Sequence, residues 1–167
     1  MTIRDRIVGA RVALAPLTVR DAAAWVRWLS DPETTRYLYS RRERPRTGVT
    51  LEEMVEWGRQ MVADPWRMVV GIEELEGAAM VGNARLVPVG RRRAQYSIVI
   101  GEAAFRGRGL GTEATRLTCR LGFERMGLRE IVLDVDPRNG PAVSAYRAAG
   151  FVHGRGDSMR LRRPAPA

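Results

Sequence analysis

Lysine is missing from this chain of 167 residues, whose 28 basic residues are all arginines. The exchange of one cation for another fits the codon usage of a G+C-rich genome, and no chemistry follows from it. Cysteine and histidine occur once each. Cys119 cannot close an intramolecular disulfide and His153 alone gives no zinc constellation, so disulfide and zinc scaffolds are excluded and no metal site is expected. No run of about 18 apolar residues occurs, which removes a membrane-spanning helix. The first residues also lack the apolar stretch and small-residue cleavage site of a signal peptide, and a cytoplasmic location is the expectation.

What is present is a globular composition, 45% hydrophobic and 28% charged. The length suits one domain, expected over residues 1–163, with a disordered tail at 164–167. Charge is divided unevenly. Residues 1–90 hold 13 Arg against 12 acidic residues (+1), whereas residues 91–167 hold 15 against 7 (+8). The positive half suits a polyanion such as a phosphorylated cofactor or a nucleic acid, and reads equally well as a solvated arginine-rich face.

Local signals give the order of elements. Arg11 to Leu14 is strand-like. Thr18, with Asp21 three residues on, caps a helix over Val19 to Leu29 that Asp31-Pro32 closes. Ser40 to Gly48 is a basic loop, and Thr50 with Glu53 caps a second helix to about Ala63. Arg67 to Glu73 and Ala79 to Val87 read as a hairpin across Glu76-Gly77, and Arg93 to Ile100 as a strand with Tyr96, Ile98 and Ile100 on one face. Leu110, Ala114, Leu117 and Leu121 make an apolar stripe along a helix from Gly109 to Met126. In that helix Cys119 reads as packing. Glu130 to Val135 is a buried strand, Pro141 opens a short helix ending at Gly150, and Phe151 to Gly154 pairs with Met159 to Arg162. His153, in that last hairpin, reads as structural or exposed.

The stretch that carries chemistry is Arg106-Gly107-Arg108-Gly109-Leu110-Gly111, between a strand and the long helix. Unpartnered N–H groups and the dipole at a helix start attract anions, and a pyrophosphate fits such a cradle. Glycines 107, 109 and 111 clear the backbone of Cβ atoms, while Arg106 and Arg108 add charge and forked donors. The spacing matches neither the dinucleotide fingerprint with its acidic residue nor the P-loop, which needs Gly-Lys-Ser/Thr.

The loop does resemble the acyl-CoA loop of the GNAT superfamily, Gln/Arg-x-x-Gly-x-Gly/Ala, with Arg106, Gly109 and Gly111. The resemblance continues in Arg20-Asp21-Ala22, Trp28-Leu29-Ser30-Asp31-Pro32, Thr35-Arg36-Tyr37 and Gly111-Thr112-Glu113-Ala114, which look like the ribosomal-protein-alanine acetyltransferase type. Asn139, Ala145-Tyr146 and Ala149-Gly150-Phe151 are similar to the superfamily's second cofactor segment. Together these cover most of residues 11–155.

The resemblance implies a mixed α/β fold: a twisted, mostly antiparallel sheet, splayed at its fourth and fifth strands and flanked by four helices. It implies acetyl-CoA as co-substrate and direct attack by a primary amine of a protein N-terminus or small molecule. Backbone groups of Ile98, Val99 and Ile100 would hold pantetheine, and the N–H groups of Arg106, Gly107, Arg108, Gly109, Leu110, Gly111 and Thr112 the pyrophosphate. Asn139 would contact the cofactor or cap a turn, and Tyr146 would serve the leaving thiolate as catalytic donor. Many relatives place a glutamate base where this chain has Gln95, a neutral amide that cannot accept the amine's proton. Glu33 and Asp134 are the candidate replacements. Arg41, Arg42, Arg44 and Arg46, with Tyr37 and Tyr39 nearby, stand where the family shapes the acceptor site. The runs Glu52, Glu53, Glu56 and Glu73, Glu74, Glu76 are surface charge or a weak acidic patch. Two alternatives stay open: aminoacyl-tRNA as acyl donor, served by the basic half, and a non-catalytic CoA-binding module. A homodimer through the terminal hairpin is a further expectation.

Overall fold

A computed structural model describes residues 3–38 and 48–164. Tyr39, the cluster Arg41, Arg42, Arg44 and Arg46, and residues 165–167 of the expected tail lie outside the described residues. The elements are β1 (Ile7–Val8), β2 (Val12–Ala15), α1 (Ala22–Ser30), α2 (Pro32–Thr35), α3 (Leu51–Ala63), β3 (Met68–Glu74), β4 (Ala79–Gly90), β5 (Arg93–Ile100), α4 (Leu110–Arg125), β6 (Glu130–Asp134), α5 (Gly140–Ala148), β7 (Val152–His153) and β8 (Ser158–Arg162). The strands form one sheet in the order β1-β2-β3-β4-β5-β6-β8-β7. Every pairing is antiparallel except β5 with β6.

The expected mixed α/β architecture is therefore present, with three differences. The short β1 was not foreseen, so the splayed pair is β5 and β6 rather than the fourth and fifth strands. The helix expected from Val19 begins as a 3-10 turn, Val19–Asp21, before α1. Asp31-Pro32 ends α1 and also starts α2, because the Asp31 carboxylate accepts from the N–H groups of Glu33 and Thr34 and proline is favoured in a first turn. Five α-helices thus stand among the described residues where four were expected. The two capping boxes form as read: Thr18 with Asp21, and Thr50 with Glu53. Each such cap is worth about 1 kcal/mol.

The core has two layers. On one face α4 lays Leu110, Ala114, Leu117 and Leu121 against Val12, Leu14, Val70, Ile72, Leu86, Tyr96 and Ile131. Gly122 lets that helix settle close, since a Cβ there would stand 2.6 Å from Leu86 Cδ1. On the other face α1 and α3 bury Trp25, Trp28, Met54 and Met61 with Leu17 and Val69. Strand β3 is covered on both sides and is buried almost throughout. On β5 burial alternates instead: Ala94 and Tyr96 are buried, whereas Gln95 is exposed. The face of β5 opposite α4 is thereby left open beside the parting of β5 and β6.

Candidate acyl-donor site

Strands β5 and β6 pair only through Arg93 with Glu130, Ala94 with Ile131 and Gln95 with Val132. Beyond Gln95 the two diverge. Tyr96 to Ile100 keep β4 as a partner, while Leu133 and Asp134 keep β8. Backbone groups of β5 that point away from β4 along this stretch, those of Ile98 among them, have no strand partner, whereas the Val99 carbonyl is turned toward Gly82 of β4. Ile100 differs: its carbonyl accepts from Arg106 Nε at 3.0 Å, so that oxygen is already engaged.

Arg106 itself departs from the expectation. Its Nη2 donates to the Gly101 carbonyl at 2.9 Å and to Thr34 Oγ1, with Asp31 Oδ2 at 3.7 Å. Its backbone N–H closes the 3-10 turn Ala103–Phe105 by donating to the Ala103 carbonyl. The guanidinium thus ties α2 to the end of β5, and the backbone N–H is used within the turn. The reason is local: after the turn Arg106 is extended, which directs its side chain back over the strand it follows.

The cradle proper is Gly107 to Thr112. Gly107 and Gly109 take φ of 72° and 78°, the left-handed region that favours glycine. Gly109 is the N-cap of α4 and brings no side-chain cap. The first main-chain bond into the helix is from the N–H of Glu113 to the Gly109 carbonyl. The N–H groups before it, from Gly107 to Thr112, have no acceptor among the described residues, and they sit at the positive end of the α4 dipole. Gly111 is not required by its backbone, since a Cβ there would meet Ile100 Cγ1 at an ordinary 3.5 Å. Arg108 lies over the Phe105 ring, with Glu76 Oε2 3.8 Å from its Nη2.

Two ties fix the cradle that sequence reasoning did not find. Trp28 of α1 packs on Gly101, where a Cβ would fall 2.0 Å from the indole, and its Nε1 donates to Glu102 Oε1 at 2.9 Å. Tyr96 Oη donates to Thr115 Oγ1, which donates to the Gly111 carbonyl, joining β5 to the first turn of α4. Burial raises the Tyr96 phenol well above its ordinary range, so it stays a donor.

Tyr146 lies on α5 with its ring 6.3 Å from that of Tyr96, the first residue past the parting, and 5.8 Å from Phe151. Its hydroxyl makes no hydrogen bond with a described residue. Burial, with a smaller contribution from Cys119, pushes its pKa up to about 12. Asn139 caps α5, Oδ1 accepting from the N–H of Ala142 at 3.2 Å, and this fulfils the capping alternative while leaving Nδ2 uncommitted. On the open face Gln95 Nε2 donates to Asp134 Oδ2 at 3.1 Å, which brings the one proposed base that reaches this parting beside the amide. Glu33 lies instead on α2.

Elsewhere the residues read as surface or packing behave so. His153 is exposed beside Arg147, and Cys119 is buried with its thiol pKa raised by burial. In each acidic run most carboxylates are engaged within the chain: Glu73 with Arg6, 67 positions away, Glu74 with the N–H of Gly77, Glu53 with the N–H of Thr50 and Glu56 with Gln60. Among the described residues no group of three or more potential metal ligands occurs, and no helix is long and apolar enough to cross a membrane.

Comparison with known proteins agrees with this fold. The spermidine N-acetyltransferase of Vibrio cholerae, solved with CoA and spermine, superposes with a TM-score of 0.78 at 19% identity, covering 92% of this chain and 96% of that one. RimJ of Mycobacterium smegmatis, in complex with CoA-disulfide, gives a TM-score of 0.76 at 19% identity over 95% and 87% of the two chains. In sequence, the spermidine N(1)-acetyltransferase of Escherichia coli K12 is 38% identical over 60 residues, and the match spans 36% of this chain and only 32% of that protein. The alpha/beta-tubulin-N-acetyltransferase 9 of Drosophila melanogaster is 28% identical over 171 residues, 90% of this chain and 80% of that one. The family model of the acetyltransferase (GNAT) domain matches residues 11–152, and the chain belongs to that family.

Proposed function

We propose that this domain transfers the acetyl group of acetyl-CoA to a primary amine by direct attack. The observation that carries the reading is the run of unpartnered N–H groups from Gly107 to Thr112, at the start of α4 and beside the parting of β5 and β6. A pyrophosphate would satisfy those donors, and pantetheine would run along the free edge of β5 at Ile98. Acetyl-CoA brings an activated thioester, and the protein supplies proximity, with effective molarities of about 10⁵ M or more for well-oriented reactants. Tyr146 donates a hydrogen bond to the departing sulfur. Asp134, oriented by Gln95, accepts the amine's proton through water.

The acceptor we favour is the α-amine of a protein N-terminus. With a pKa of about 8, roughly a tenth of it is free base at pH 7, against about 1 in 2,500 for a lysine amine near 10.4. An enzyme whose base is an exposed aspartate suits the less basic amine. A polyamine acceptor is the second reading, favoured by the 60-residue match to a spermidine acetyltransferase. The internal bonding of both acidic runs speaks against it.

The test begins with calorimetry of acetyl-CoA against wild type and Gly111→Glu, a variant that introduces a carboxylate without backbone strain. Micromolar binding by wild type, weakened at least 10-fold in the variant, is the expected result. Thiol release is then followed with N-terminal peptides and with spermidine. Turnover of peptides is expected, turnover of spermidine alone would replace the first acceptor by the second, and no binding would remove the donor assignment.

A further inference from the structure

The turn between β1 and β2 carries Arg11 to the acyl-donor cradle. Its backbone is held on both sides: the N–H donates to Glu113 Oε1 at 3.0 Å, and the carbonyl accepts from the N–H of Leu75. The neighbouring N–H of Ala10 donates to the same Glu113 oxygen at 2.6 Å. The guanidinium is thereby placed over the N-cap of α4, with Nη2 2.7 Å from where a Cβ on Gly109 would stand. It is 56% exposed and makes no hydrogen bond with a described residue; the approach of Nε to Glu113 Oε2, at 3.6 Å, is an ion pair and too long for one.

This is an unfavourable place for a cation by itself, because the start of a helix carries about half a positive charge. Glu113 offsets that charge while also accepting backbone bonds. A phosphate has several oxygens and can accept from both the guanidinium and the unpartnered N–H groups. We propose that Arg11 is a phosphate ligand of the donor site, closing with Arg108 over the pyrophosphate that the N–H groups of Gly107 to Thr112 cradle. It takes the part that the sequence assigned to Arg106. The inference rests on the acetyl-CoA reading above.

The test is calorimetry on the full chain, wild type beside Arg11→Gln and Arg11→Lys, with acetyl-CoA, 3′-dephospho-acetyl-CoA and S-acetylpantetheine as probes. Losing charge-assisted bonds to a phosphate should weaken Arg11→Gln for the first two probes equally, by about 10- to 100-fold, with a smaller loss in Arg11→Lys. S-acetylpantetheine, which has no pyrophosphate, should be bound by Arg11→Gln as by wild type. Equal affinity of Arg11→Gln and wild type for acetyl-CoA overturns the proposal, as does a loss confined to the 3′-phosphorylated probe. A matching loss for S-acetylpantetheine overturns it too, by showing a distorted fold. Wild type that binds neither phosphorylated probe sinks the donor reading itself, a separate outcome.

Discussion

A phenol held at a pKa of about 12 remains protonated throughout the working range of pH, so Tyr146 can only act as a donor. Full transfer of its proton to a departing thiolate, which is less basic, would run uphill. If it serves the leaving sulfur as proposed, its contribution is a hydrogen bond that strengthens as charge develops there, and Tyr146→Phe should lower kcat by about 10²-fold. Since the hydroxyl bonds no described residue, the same variant should melt within about 1 kcal/mol of wild type and bind acetyl-CoA unchanged. Asp134→Asn should likewise lower kcat and spare donor binding. Steady-state thiol release with an accepted peptide, read beside calorimetry, separates these effects from loss of the cofactor site. A Phe variant as fast as wild type would return Tyr146 to a packing role between Tyr96 and Phe151.

At the scale of elements, three carboxylates join segments around the cradle. Asp31 starts α2, its pKa lowered by the Thr34 hydroxyl, then by the N–H of Glu33, with Arg106 adding a little. Glu102 holds α1 to the end of β5, lowered by the Trp28 indole N–H against some burial and by Arg27. In Glu113 burial raises the pKa but is outweighed by the N–H groups of Arg11, Val12 and Ala10 and by the Arg11 charge. A depressed pKa in the folded chain means stability that is fully present above the ordinary value, 4.5 for Glu and 3.8 for Asp, and lost as pH falls through the folded value. The thermal midpoint should thus decline from about pH 4.5 downward. Glu113→Gln should start lower at neutral pH and lose less on acidification, which a melting series from pH 7 to 3 measures; parallel curves would assign the acid loss elsewhere.

These ties also mark where the sequence stopped being informative. Thr18 with Asp21 and Thr50 with Glu53 are three residues apart, and their pattern alone fixes the bonds they make. The glycines of the cradle are legible for the same reason, because a positive φ is a local demand. Arg11 meets Glu113 across 102 positions and Trp28 meets Glu102 across 74, and no local pattern encodes either encounter. For Arg106 the charge is visible in the sequence and the direction is not: the side chain after the turn at Ala103–Phe105 reaches Ile100 and Gly101. Gln95 shows the opposite case. Its lack of a titrating proton was legible, but its partner Asp134 is brought alongside only by the pairing of β5 with β6.

For the whole molecule the question is whether a net charge of +9 makes an RNA surface or serves a small anion. At least five of the fifteen arginines of residues 91–167 are engaged in separate bonds. Arg93 and Arg162 share Glu130, Arg138 grips Asp136, Arg116 donates to the Ala148 carbonyl and Arg106 closes the end of β5. Polyelectrolyte binding draws on diffuse charge and collapses with salt, because counterion release weakens as ionic strength rises. Binding at the cradle draws also on backbone N–H groups at short range, which salt screens far less. Total tRNA should therefore lose at least about 10³-fold in affinity between 50 and 200 mM salt if it makes six or more phosphate contacts, while acetyl-CoA should lose less than about 10-fold. Titration of both ligands at the two salt concentrations decides the matter. Salt-resistant tRNA binding that acetyl-CoA fails to displace would mean that the arginines of residues 91–167 make a built RNA site, and would reopen aminoacyl-tRNA as the acyl donor.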